Sequence, residues 1–184
     1  MPAWKNGKLT VYHGTDDLQV FGIPTLPLTP SQLPKTVPFI PNLALCRPFT
    51  DFGKGFYVTT SLHQAKQWAN ARVRRILAPG PVQFAVVLRF QIDRDQLAAA
   101  ESLVFVRDTQ DYWDFVHYCR LGFPPHRRSS ANKEYEVVYG PVALWPSQLL
   151  IQNCDQISFH MTALSTYLLN PQVVACATAP GGLF

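Results

Sequence analysis

Seven prolines, Pro24, Pro27, Pro30, Pro34, Pro38, Pro41 and Pro48, recur every three to seven residues in the first third of the chain. Proline fixes φ and lacks the N–H donor, so neither a helix nor a central strand fits through residues 20–50. The expectation is one long, extended surface loop. A loop of that length in a compact domain often covers a site.

Regular structure then falls to a short segment before the prolines and to the residues after 50. Leu9-Thr10-Val11-Tyr12-His13 reads as a strand ending at Gly14. Gly53-Lys54-Gly55 reads as a turn feeding a short strand through Phe56-Tyr57-Val58-Thr59-Thr60. Ser61 and Gln64 have capping-box spacing, so a helix starts there, its apolar face made of Leu62, Ala65, Trp68 or Ala69, Val73 and Ile76. Pro79-Gly80-Pro81 stops it. Over 82–92, Val82, Phe84, Val86, Leu88, Phe90 and Ile92 alternate with Gln83, Arg89 and Gln91, the period of a strand with one buried face. A helical piece near 95–100, a strand near 102–107 and a helix over Asp111–Arg120 follow, the last packing Tyr112, Trp113, Phe115 and Val116 inward. Glu134–Tyr139 reads as a strand ended by a Gly140-Pro141 turn. Two short strands (148–152 and 156–160) and a short helix (162–169) come next, then a tail over 171–184. No repeat and no second domain is visible, so the expectation is a single α+β domain over 1–184.

The chain has 184 residues, 47% hydrophobic and 15% charged, a balance that buries a core and argues against disorder. No run of 18 apolar residues suggests a membrane helix, and the first residues lack the apolar stretch of a secretory signal. A cytoplasmic protein is expected, or one delivered into a target cell by another route. Cys46, Cys119, Cys154 and Cys176 form no CxxC pair, so no metal site is expected and free thiols are. The net charge of +4 is dispersed. Its densest runs, Arg72-Val73-Arg74-Arg75 and His126-Arg127-Arg128, suit a solvated face, a pyrophosphate or an acidic partner.

Three segments carry candidate chemistry. His13 stands at a strand end before Gly14, and glycine lets a ligand approach main-chain N–H and C=O groups that pair with a planar amide such as a carboxamide. Alternation sends only one of Phe56 and Tyr57 into the core, and a tyrosine there can stack on a flat cationic heterocycle. Glu134 and Glu136 share one face of their strand. Cleaving an N-glycosidic bond to a pyridinium needs no acid. It needs negative charge beside the developing oxocarbenium ion and a carboxylate on the ribose hydroxyls.

Taken together, Tyr12-His13-Gly14-Thr15, Gly53-Lys54-Gly55-Phe56-Tyr57 and a late glutamate strand resemble the His-Tyr-Glu branch of the ADP-ribosyltransferases, the branch of diphtheria-type toxins and poly(ADP-ribose) polymerases. More closely, Asp51-Phe52-Gly53-Lys54-Gly55-Phe56-Tyr57-Val58-Thr59, with Gln64-Ala65 and Trp68-Ala69, resembles the microbial domain-of-unknown-function family DUF3990. Trp113, Phe115 and Arg120 match that family's middle motif, and Tyr135–Ala143 and Gln156–His160 its closing ones.

The resemblance implies a split, mostly antiparallel β-sandwich with NAD in a cleft between its sheets. It implies that His13 bonds an NAD ribose hydroxyl, that the Gly14 main chain holds the carboxamide and that Tyr57 stacks on nicotinamide. The implied NAD contacts are His13, Gly14, Thr15, Gly55, Tyr57, Ser61 and Gln156. For the third catalytic residue Glu136 comes first, Glu134 next and Gln156 third. The implied activity is mono-ADP-ribosyl transfer from NAD to a protein or nucleic-acid acceptor, as in a toxin or effector with a cognate antitoxin or immunity protein. Alternatives are an NAD glycohydrolase, a non-catalytic module for NAD or ADP-ribose, and the phosphate-transferring relatives that share the fold.

Overall fold

The computed structural model describes residues 6–22, 37–75, 84–123, 134–161, 163–178 and 183–184. The stretch 23–36 of the proline-rich segment, the Pro79-Gly80-Pro81 stop, the His126-Arg127-Arg128 run and residues 179–182 lie outside them. The fold is mixed α+β, with two sheets and few helices. Among the described residues, no helix is long and apolar enough to cross a membrane. The chain divides into two compact units: Met1–Phe39 with Val58–Arg94 and Tyr167–Phe184, and Ile40–Tyr57 with Asp95–Thr166.

The first unit is built on a three-stranded sheet in the order β1 (Leu9–Asp16), β3 (Ala85–Ile92), β7 (Leu169–Cys176), all antiparallel. Central strand β3 departs from simple alternation, since Ala85 and Val87 are as buried as Val86, Leu88, Phe90 and Ile92. The cause is α2 (Leu62–Arg74), whose Ala65 and Ala69 pack with Ala85, Val87 and Ala177. The small alanines let backbones approach, and a strand covered on both faces reads as a continuous apolar run. Ser61 caps α2 as its spacing foretold, accepting from Gln64 N–H at 3.2 Å. Gln64 is fully buried and its Oε1 accepts from the Thr59 hydroxyl at 2.9 Å, while Ser61 N–H donates to that hydroxyl at 3.0 Å.

β1 runs three residues beyond its expected end, through Gly14, Thr15 and Asp16, and gives way to the short helix α1 (Asp17–Phe21), which Asp16 caps. Residues 171–176, expected in the tail, belong to β7 instead. Their strand character comes from pairing with β3, which a local reading of Leu169-Asn170-Pro171-Gln172 does not show.

The second unit holds a four-stranded sheet in the order β2-β6-β5-β4, where β2 is Phe56–Val58, of which Val58 counts with the first unit. The others are β4 (Ser102–Val104), β5 (Val137–Leu144) and β6 (Leu149–Phe159). β4 and β5 are parallel, β5 and β6 antiparallel. The expected Gly140-Pro141 turn is absent: β5 continues through both residues and the chain reverses at 145–148. Pro141 is tolerated because the ladder shifts register directly after it. The two strands expected at 148–152 and 156–160 are one, β6, bent by Asn153 at φ 55°. α3 (Arg94–Ala99) and α4 (Gln110–Arg120) lie near their expected places, and α5 (Leu164–Tyr167) is shorter than expected. Tyr112, Trp113 and Val116 of α4 pack with Phe52, Val138 and Ala143, and Phe115 lies half-buried against them. Within the proline-rich segment, Leu43–Leu45 forms a single 3-10 turn capped by Asn42.

Candidate functional site

The candidate residues divide between the units. His13, Gly14, Thr15 and Ser61 lie in the first, and Gly55, Tyr57, Glu134, Glu136 and Gln156 in the second.

In the first unit β1 is an edge strand, and its hydrogen-bonding parity decides what Gly14 can do. Tyr12 exchanges both main-chain bonds with Thr59, at 2.8 and 2.9 Å, on the side away from β3. Asp17 N–H donates to Phe84 O at 3.0 Å, on the β3 side. Odd residues therefore turn their main chain toward β3 and even residues away from it, because antiparallel ladders alternate by two. The N–H and C=O of Gly14 thus point away from β3, on the side of the bridge to Thr59, although the residue itself is buried.

The reason position 14 must be glycine is a different one. A Cβ there would lie 2.0 Å from Ala65 O and 2.7 Å from Ala69 N, backbone atoms of α2. Close helix packing, rather than ligand approach, excludes a side chain. Opposite Gly14, His13 shares its face with fully buried Val11 and nearly buried Thr15, and its ring centroid is 6.4 Å from Phe39. Ser61's hydroxyl serves the helix cap. Of the basic run on α2, Arg72 is ion-paired to buried Asp16.

In the second unit Tyr57 is half-buried, but its phenol oxygen is enclosed by the loop before it. It accepts from Phe52 N–H at 2.9 Å, contacts the Thr50 hydroxyl at 2.7 Å and lies 2.9 Å from Gly53 O. Burial pushes the phenol well above its ordinary range, an effect the Thr50 and Phe52 bonds only partly offset. The ring lies near-parallel to Phe52 at 6.3 Å between centroids. A tyrosine held by its hydroxyl keeps its ring in one orientation, which is what a stacking platform requires.

Gly55 is buried, and a Cβ there would meet His160 Cε1 at 2.8 Å. His160 lies 3.1 Å through Nδ1 from Lys54 O and 2.7 Å through Nε2 from Ser158 Oγ. A carbonyl only accepts, so in the neutral ring Nδ1 carries the proton and Nε2 accepts from the serine. Glu134, exposed, lines a cleft of about 460 Å³ with Lys54, His160, Phe49, Phe123 and Leu43. Glu136, half-buried just before β5, accepts from Glu101 N–H at 2.9 Å through Oε2. Its own N–H donates to Glu101 O at 2.8 Å, and its C=O accepts from His160 N–H at 2.9 Å. β5 begins at Val137, so the two glutamates expected on one strand face both precede the strand, and they differ: one faces a cleft, the other has a fixed carboxylate.

Gln156 is 3% exposed, with Nε2 donating to Asp51 Oδ2 at 2.7 Å and to Pro141 O at 2.9 Å. Asp51 and Arg120 are the residues that sequence reasoning missed in this role. A lone aspartate heading an aromatic-glycine turn was the available signal.

A mixed α+β protein with two sheets, an edge strand of outward-turned main chain and an anchored tyrosine is the class these features define. The family described as Protein of unknown function (DUF3990) matches residues 37–170, and the chain belongs to it. No curated protein and no solved structure matches the chain.

Proposed function

We propose that this protein is an NAD-dependent mono-ADP-ribosyltransferase of the His-Tyr-Glu type, with the split β-sandwich of that class. In the reaction the C1–N bond of the nicotinamide riboside breaks and its electron pair leaves with neutral nicotinamide. An acceptor oxygen or nitrogen then forms the new bond to C1 and releases a proton.

The observation that carries the reading is the parity of β1. The main-chain donor and acceptor of Gly14 both point away from β3, side by side on one edge of the strand, the arrangement a carboxamide needs for a two-point grip. His13, the next residue back, is the ribose-hydroxyl partner. Tyr57 is the nicotinamide platform, its orientation held through its hydroxyl. Glu136 supports the oxocarbenium-like transition state, because a carboxylate already held by a backbone N–H needs little reorganisation to act. Glu134, facing a cleft that also presents Lys54 and His160, orients the acceptor.

The test uses NAD labelled in its adenylate phosphate, incubated with the protein and a cell extract as acceptor source. Label on a macromolecule supports transfer. Label released only as free ADP-ribose makes the protein a glycohydrolase. Binding without turnover, unaffected by Glu136→Ala, makes it a non-catalytic module.

A further inference from the structure

The loop that anchors Tyr57 is itself tied down by one buried carboxylate. Asp51 is 3% exposed, and both of its oxygens are doubly engaged. Oδ1 accepts from Arg120 Nε at 2.8 Å and Nη2 at 2.5 Å. Oδ2 accepts from Ala143 N–H at 2.9 Å and Gln156 Nε2 at 2.7 Å. Arg120 Nη1 reaches back to Phe49 O at 3.1 Å, so the loop is held at Phe49 as well as at Asp51. The groups around the Tyr57 phenol come from Thr50, Phe52 and Gly53, which flank Asp51. One carboxylate thereby fastens the tyrosine's anchor to α4, β5 and β6 at once.

Burying an ion pair gives little net stability against an apolar replacement, whereas breaking one partner of it is costly. What such a hub supplies is fixed geometry. We infer that Asp51, together with Arg120 and Gln156, is a positioning element that sets the orientation of the Tyr57 ring. This inference rests on the proposed role of Tyr57 as the nicotinamide platform. It assigns Gln156 to the hub, where the resemblance had implied an NAD contact or a third candidate for the catalytic residue. Asp51 touches no substrate and acts only through the loop.

Asp51→Asn is the direct test, because an amide NH2 must face either the Arg120 guanidinium or the Ala143 and Gln156 donors, a donor–donor clash on either side. Two readouts are taken on the full chain. Hydrogen exchange at the Phe52 amide, compared with the β3 amides of Val87 and Leu88 in the same sample, reads the anchor without any turnover. Steady-state kinetics with NAD read the platform. The expected result is a Phe52 exchange rate raised at least about ten-fold relative to β3, with KM for NAD raised roughly ten-fold and kcat changed much less. Gln156→Met removes one of the four hydrogen bonds to Asp51, together with the bond to Pro141 O, and leaves the Arg120 pair, so it gives a smaller change in the same direction even if Asp51→Asn fails to fold. Exchange at Phe52 that follows β3, or an unchanged KM in a folded variant, overturns the inference. If the wild-type protein does not turn over NAD, that failure belongs to the proposed function, and the exchange comparison still decides the clamp.

Discussion

Substitution of Gly14 by alanine places a Cβ 2.0 Å from Ala65 O and 2.7 Å from Ala69 N. Both are backbone atoms of α2, so no change of rotamer relieves the overlap. The nearest ordinary C···O approach is about 3.3 Å, which leaves the helix roughly 1.3 Å too close. α2 cannot retreat that far without opening its contact with Ala85, Val87 and Ala177. Overpacking of this kind costs about 3 kcal/mol, the upper part of its usual range. For a chain of this size that corresponds to a melting temperature lower by about 6–12 °C. The assay is thermal denaturation followed by circular dichroism, with two internal controls. At Gly7 a Cβ meets nothing within 4 Å, so Gly7→Ala melts with the wild type. At Gly55 the nearest atom, at 2.8 Å, belongs to the His160 side chain, so Gly55→Ala falls between. A Gly14→Ala protein melting within about 2 °C of wild type would refute the packing argument and return Gly14 to a purely ligand-driven choice.

Three further outcomes follow from the same geometry. Tyr57→Phe keeps the ring but leaves Phe52 N–H without its acceptor, costing about 1–3 kcal/mol in urea denaturation and raising KM for NAD. Glu136→Gln retains an oxygen for Glu101 N–H, so stability changes by less than about 1 kcal/mol, while nicotinamide release falls about 100-fold or more; Glu134→Gln spares release and lowers transfer to acceptor. Cys119 is buried beside Asp51, which together push its thiol from 9.0 up to about 12. Folding holds that proton where the unfolded chain gives it up, so stability is intact below pH 9.0 and is lost as pH rises toward 12. At about pH 8.5 fewer than roughly one Cys119 thiol in a thousand is ionised, and iodoacetamide modifies it only on unfolding.

Much of the framework was legible because its signals are local. The alternation of Val86, Leu88, Phe90 and Ile92 marked β3, and Ser61 with the apolar stripe behind it marked α2. β7 was not legible, because Leu169–Cys176 becomes a strand only by pairing with β3, about 80 residues earlier, across two register shifts. β5 was cut short by reading Gly140-Pro141 as a turn, when the Pro141 carbonyl is used by Tyr112 and Gln156 and its missing N–H falls where the ladder slips. At the candidate site, His13, Gly14 and Tyr57 were visible as motifs, although His13 lies inside β1 rather than at its end. The hub around Asp51 was not, since its partners Arg120, Ala143 and Gln156 lie 69, 92 and 105 residues away. Buried polar networks obey satisfaction rules that only three-dimensional neighbours reveal.

The central claim is tested most directly by nicotinamide release from NAD, measured for the wild-type protein beside His13→Ala, Tyr57→Ala and Glu136→Gln. The account predicts release by the wild type that falls about 100-fold or more in Glu136→Gln and strongly in the other two, with all three variants folded. Absence of release by folded wild type in the presence of candidate acceptors, or release indifferent to all three substitutions, would contradict it.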